Sequence, residues 1–192
     1  MENYAKKQGK AERKPFLLGA NFVLTVLIAT CANASGWGVQ EAENVDPKLP
    51  KVLLIGDSIL RGYHGNIIKS LKGKANVDCW FTPAHLNSDG LHEDLANVAS
   101  RRKYDVIHFN IGLHGLSEKR VPSESYRNLL TDYLNTMRRA SPDATLIWAS
   151  ITPLTEENPS EGFAKRNSIV VKRNRLADEI MNAYGIRVND LY

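Results

Sequence analysis

From residue 51 onward, short apolar runs alternate with helical patterns, and the runs are apolar on successive residues. The strand candidates are "KVLLIGD" (51–57), "NVDCWF" (76–81), "DVIHFNI" (105–111), "TLIWASIT" (145–152) and "IRVNDL" (186–191). Strict alternation would mark strands with one wet face. Unbroken stretches such as "VLLI" and "LIWA" mark strands covered on both faces, as in a parallel sheet. Helices are expected between them, over 60–72, 91–101, 123–140 and 164–184. In the third, Tyr126, Leu129, Leu130, Tyr133, Leu134 and Met137 fall on one helical face. Glu124 in its first turn and Arg138 and Arg139 in its last match the helix dipole. Gly185 is a stop signal for the fourth. Strands and helices alternating at these lengths predict a three-layer α/β/α sandwich with a five-stranded parallel sheet.

The 34 residues at the amino terminus read differently. Lys6, Lys7, Lys10, Arg13 and Lys14 precede the uncharged run "FLLGANFVLTVLIAT" (16–30), and Ala32-x-Ala34 follows. A basic region, a short apolar region and a small-residue site make a secretory signal peptide, with cleavage expected after Ala34. The apolar run is short for a bilayer span, which needs about 20 residues, so no stable membrane span is expected after cleavage. An uncleaved amino-terminal anchor is the alternative. A lipoprotein site at Cys31 fits less well because Thr30 precedes it. Without residues 1–34 the chain keeps 20 of its 25 Lys and Arg and 19 of its 21 Asp and Glu, a net charge of +1. The basic character thus belongs to the leader and gives no argument for nucleic acid. Cys79 is then the only cysteine, which excludes a disulfide framework, and no metal or cofactor signature is present. Residues 35–50, rich in Gly, Pro and acids, read as a linker.

In open parallel sheets, ligands bind beyond the carboxyl ends of the strands. The polar residues gather there: Gly56-Asp57-Ser58 after the first strand, "TPAHLNSDGLH" after the second, "NIGLHGL" after the third and "TPLTEENPSEGF" after the fourth. Glycine permits a tight strand-to-helix turn. Ser58 would then sit at a helix amino terminus, whose N–H groups can stabilise an oxyanion. The competing reading is that Ser58 is a plain helix cap.

"LLIGDSI", Gly90 in "SDGL" and "FNIGLHGL" together resemble the ordered sequence blocks of the SGNH or GDSL hydrolase family. The likeness spans residues 51–192 and implies the flavodoxin-like fold of that family. It implies a secreted serine esterase acting on acyl esters, acetyl among them, of a carbohydrate or another small molecule. In that scheme Ser58 is the nucleophile. The oxyanion hole comes from the Gly90 N–H and from His114, which replaces the family's asparagine, or from Asn110. The resemblance implies no cofactor and no metal, and it does not specify an oligomeric state.

The family's Asp-x-x-His block, which supplies the catalytic base, is absent, and no histidine follows His114. Asp89-x-x-His92 has the same spelling but follows the second strand. His64 lies nearly two helical turns past Ser58. His85 and His108 carry no spacing argument. The expectation is therefore a chain truncated before its base, nearly inactive as it stands and with apolar sheet surface left uncovered. The alternative is a catalytically dead binding domain of the same fold. A flavodoxin-like nucleotide binder is disfavoured, because "GDSILRGYHG" has neither the Gly-x-Gly-x-x-Gly nor the Walker pattern.

Overall fold

The computed structural model describes residues 36–156 and 162–192. The expected signal peptide and part of the polar loop 152–163 lie outside these residues. Six strands form one sheet in the order β1-β3-β2-β4-β5-β6. They are β1 (Gly38–Gln40), β2 (Lys51–Gly56), β3 (Asn76–Phe81), β4 (Val106–Phe109), β5 (Thr145–Ala149) and β6 (Arg187–Asn189). β2 to β6 are mutually parallel, as expected, and all deliver their carboxyl ends to one edge. The helices are α1 (Ser58–Leu71), α2 (Leu91–Ala99), α3 (Tyr126–Ala140) and α4 (Asn167–Ala183). The chain is thus a flavodoxin-like α/β/α sandwich.

The sixth strand comes from the segment read as a linker. β1 pairs antiparallel with β3, Val39 opposite Trp80. Gly, Pro and acidic residues hid it, because an edge strand of three residues has too little side-chain pattern to show. It is fixed instead by main-chain hydrogen bonds from the residues that follow. The Ala42 N–H donates to Asp78 Oδ1 at 2.7 Å, and the Asp46 N–H donates to Asn76 Oδ1 at 2.9 Å. Asp78 is buried, and it also accepts from Arg102 Nε and Tyr104 Oη, both at 2.8 Å.

Both faces of the sheet explain the unbroken apolar runs. Leu53, Ile55, Trp80, Ile107, Phe109, Leu146 and Trp148 point into the larger core beneath α2, α3 and α4. Leu54, Val77, Cys79 and Phe81 alternate with them and pack against α1. On this second face α1 covers β2 and β3. His108 of β4 and Ile147 of β5 are only half-buried there.

The apolar face expected for the third helix is buried as expected, but the helix starts at Tyr126 and not at Ser123. The Ser123 hydroxyl and N–H instead bind Glu118, which holds residues 118–125 in turns. α4 ends before Gly185, whose φ of +65° marks the left-handed stop.

Candidate active site

The turn from β2 into α1 assigns two adjacent polar residues to two different tasks. The cap is Asp57, whose carboxylate accepts from the Ile59 N–H at 2.8 Å. Ser58 is therefore the first helical residue and not the cap. Its side chain is exposed, and its hydroxyl has no hydrogen-bond partner among the described residues. The first N–H of a helix has no intrahelical acceptor, so the Ser58 main chain also presents a donor at this point. Gly56 owes its place to packing and not to backbone freedom. A Cβ there would meet Leu60 Cβ at 2.8 Å, so the absence of one lets α1 close onto the strand end.

Gly90 caps α2 with φ +72°, a left-handed geometry that favours glycine. Its carbonyl accepts from the Asp94 N–H at 3.0 Å, while its own N–H finds no acceptor among the described residues.

The loop after β4 is pulled against the end of β5. A Cβ on Gly112 would lie 2.5 Å from Ile151 Cγ1, so this glycine too is required by a close approach. A short 3₁₀ turn, Leu113–Gly115, carries His114. Its carbonyl accepts from Arg120 Nη1 at 2.8 Å, and neither imidazole nitrogen has a partner among the described residues. The following carbonyl, that of Gly115, accepts from the buried Arg173 of α4 at 2.7 Å.

The loops after β2, β3 and β4 leave the sheet at one edge, and those after β3 and β4 touch. The Thr82 N–H donates to the Gly56 carbonyl and the Asn110 N–H to the Ile55 carbonyl, both at 2.9 Å. A Cβ on Gly115 would sit 3.2 Å from His85 Cβ, which puts the loops after β3 and β4 side by side. Trp37, just before β1, meets the His114 ring edge to face with centroids 5.7 Å apart. Arg61, one turn beyond Ser58, also packs on this indole, its Cζ 4.3 Å from the Trp37 centroid.

Asn110, the alternative oxyanion donor, is placed differently. Its Nδ2 donates to the Ala149 carbonyl at 2.7 Å. It lines a crevice with Asp57, Tyr63, Leu113 and Leu191 that holds about 10 Å³, barely room for one water molecule. Of the two candidates, His114 has its donor atoms uncommitted.

Three other histidines are occupied elsewhere. His92 Nδ1 bonds Thr136 Oγ1 of α3 at 2.9 Å, so Asp89 and His92 do not form a dyad. His64 Nδ1 bonds the Arg61 carbonyl at 2.8 Å, and its ring packs on Phe81. His108 Nε2 pairs with Asn189 Nδ2 at 3.1 Å, and burial depresses its pKa. His85 is a neighbour that spacing did not reveal. Partial burial, then the charges of Arg120 and His114, lower its pKa.

The residues after β6 also run along this edge. Leu191 shares the crevice with Gly56, Asp57 and Leu60. Ser150 Oγ donates to Asp190 Oδ1 at 2.8 Å and accepts from the Leu191 N–H at 2.7 Å. Asn167 Nδ2 donates to the Tyr192 hydroxyl oxygen at 2.8 Å.

Sequence reasoning missed Trp37, Arg61 and Arg173 as neighbours of this edge, because nothing local marks which core or linker residues face it. The cap could have been found: Asp and Ser are equally good caps, so Asp57 preceding Ser58 left the serine replaceable in that role.

The strand order and the three-layer arrangement are those of the SGNH/GDSL hydrolase fold. No family sequence model matches the chain, and no curated protein matches it in sequence. Solved structures do match. A carbohydrate acetylesterase family member from Sinorhizobium meliloti superposes with a TM-score of 0.60 at 19% identity, over 74% of this chain and 83% of that one. An acetyl xylan esterase gives 0.58 at 10% identity, over 73% and 77%. A GDSL-like lipase from Bacteroides thetaiotaomicron gives 0.54 at 15% identity, over 77% and 71%.

Proposed function

We propose that this chain carries the nucleophile and oxyanion hole of a secreted serine ester hydrolase. The observation that supports this best is the division of labour at residues 57 and 58. With Asp57 capping α1, the exposed Ser58 hydroxyl serves no structural bond at the rim where this fold binds ligands. Ser58 Oγ attacks the ester carbonyl, forming a tetrahedral intermediate. The N–H groups of Ser58 and Gly90 and an imidazole N–H of His114 hold the oxyanion, and Asn110 stands behind them. A histidine, which has one donor nitrogen in its neutral form, can replace an asparagine amide in that role. Collapse of the intermediate releases the alcohol, and water removes the acyl group.

The proton of Ser58 needs an acceptor; His64, His92 and His108 are hydrogen-bonded elsewhere, and His114 is assigned to the oxyanion. The acyl group is small, with acetyl on a carbohydrate as the first candidate, in keeping with the acetyl xylan esterase and the carbohydrate acetylesterase family member that share the fold. Cleavage after Ala34 would free the domain into the periplasm or the medium. Among the described residues no helix is long and apolar enough to cross a membrane.

The test is p-nitrophenyl acetate hydrolysis by the protein, compared with its Ser58→Ala variant. The expected result is loss of turnover in the variant. Equal rates would remove the nucleophile assignment, and absence of turnover in both would favour a ligand-binding domain of the same fold.

A further inference from the structure

We propose that Trp37 is a positioning residue for His114, a brace that ties the nucleophile helix to the oxyanion loop. This inference rests on the esterase reading and extends it to a residue outside the parallel sheet.

An imidazole that must aim one nitrogen at a reacting oxygen is ordinarily oriented by a hydrogen bond at its other nitrogen. His114 has no such bond to the described residues. Its main chain is held by Arg120, and the neighbouring carbonyl by Arg173, but these bonds leave its side-chain torsions open. The ring contact recorded for it is the edge-to-face packing with Trp37, at an interplanar angle of 85°. Aromatic pairs prefer this arrangement, so it restricts the imidazole while leaving its nitrogens available.

For a brace to work it must itself be fixed. Arg61 projects from α1 one turn after Ser58 and lies between two rings, with Cζ 4.3 Å from the Trp37 centroid and 5.4 Å from that of Phe81. Its Nη2 donates to the Gly36 carbonyl, which holds the backbone next to Trp37. From the other side, Gly38 pairs with Phe81 and Val39 with Trp80 in the sheet. Trp37 therefore contacts the helix that begins with Ser58 and the turn that carries His114. If either arm shifts, the indole transmits the shift to the other.

The competing explanation is that Trp37 merely plugs the small core around Phe81. Two substitutions separate these, measured in the same assay as the Ser58→Ala test. Trp37→Leu keeps apolar bulk but removes the ring, and Trp37→Phe keeps a ring. The proposal expects Trp37→Leu to lower kcat by about 10- to 100-fold, the scale of a misplaced catalytic group, with KM within about twofold. Trp37→Phe should recover most of the loss. The His114 imidazole signals in a ¹H–¹³C NMR spectrum should move in Trp37→Leu. Unchanged kcat, a loss confined to KM, or equal losses in the Leu and Phe variants would overturn the proposal. So would His114 signals that stay put. If Ser58→Ala retains wild-type turnover, the esterase reading itself fails and takes the brace with it. If Ser58→Ala is inactive while Trp37→Leu is normal, the brace fails alone.

Discussion

Arg173 Nη1 donates to the carbonyl oxygen of Gly115 at 2.7 Å, from a side chain that is 3% exposed. Its Nη2 serves the Val121 carbonyl at 2.8 Å, and its Cζ lies 5.1 Å from the Tyr126 ring centroid. One helix residue thus fastens both ends of the loop that follows His114. Truncation to Arg173→Met leaves two buried carbonyls without a donor, which we expect to cost about 2–4 kcal/mol. Arg173→Lys, with a smaller and differently shaped donor set, should recover part of this. Urea denaturation of the three proteins checks the order.

The separate roles of residues 57 and 58 predict opposite phenotypes. Asp57→Ala loses the bond to the Ile59 N–H and should destabilise the fold by about 1 kcal/mol. Ser58→Ala removes an exposed hydroxyl that has no described partner and should change stability by less than about 0.5 kcal/mol. Thermal melts on the two variants test this without any substrate.

Gly112→Ala should be poorly tolerated although its φ of −153° is not left-handed. The added methyl would lie 2.5 Å from Ile151 Cγ1 and 2.7 Å from its Cδ1. Overpacking of this kind costs about 1–3 kcal/mol. Ile151→Ala in the same chain should relieve the clash, so the double variant should be more stable than the sum of the single effects. A double-mutant cycle measures that difference.

"VLLI" and "LIWA" showed a doubly covered parallel sheet because burial on both faces demands apolar side chains at every position. The six aromatic and aliphatic positions of α3 did the same for that helix. Gly56 and Gly112 were visible as motif glycines, but the reason for them was not. It lies in Leu60 and Ile151, and the second is distant in sequence. β1 was hidden because its pairing is almost wholly main chain. Arg173 and Trp37 were hidden because a buried arginine and a linker tryptophan acquire their roles only through residues dozens of positions away.

Acid should weaken the fold in two separate windows. Burial holds the pKa of His108 below its ordinary value near 6.5, and His85 is shifted the same way by burial, Arg120 and His114. The unfolded chain therefore binds these protons first. Their contribution is complete above about pH 6.5 and is lost as the pH falls through that value toward the folded pKa. Asp190 and Glu118 are held below the usual carboxylate range by hydrogen bonds, from Tyr192 and Ser150 to the first and from Ser123 to the second, so their contributions fade only in stronger acid. Replacing His108→Gln should flatten the stability profile between pH 7 and 5 and leave the more acidic limb unchanged. Denaturant midpoints across pH provide the check.

Cys79 should behave as an unreactive thiol. It is fully buried, and burial together with the nearby Asp78 charge pushes its pKa up to about 12. Thiolate is the reactive form. A disulfide reagent at pH 8 should therefore label the native protein only as fast as the domain opens, and label it at once in denaturant.

The three residues of β1 close what would otherwise be the open flank of β3. If that short strip peels away, Cys79 to Phe81 would offer a free row of main-chain donors and acceptors, a ready template for another molecule. The shelf life of a concentrated solution would then depend less on the large core than on how often this small lid of backbone lifts.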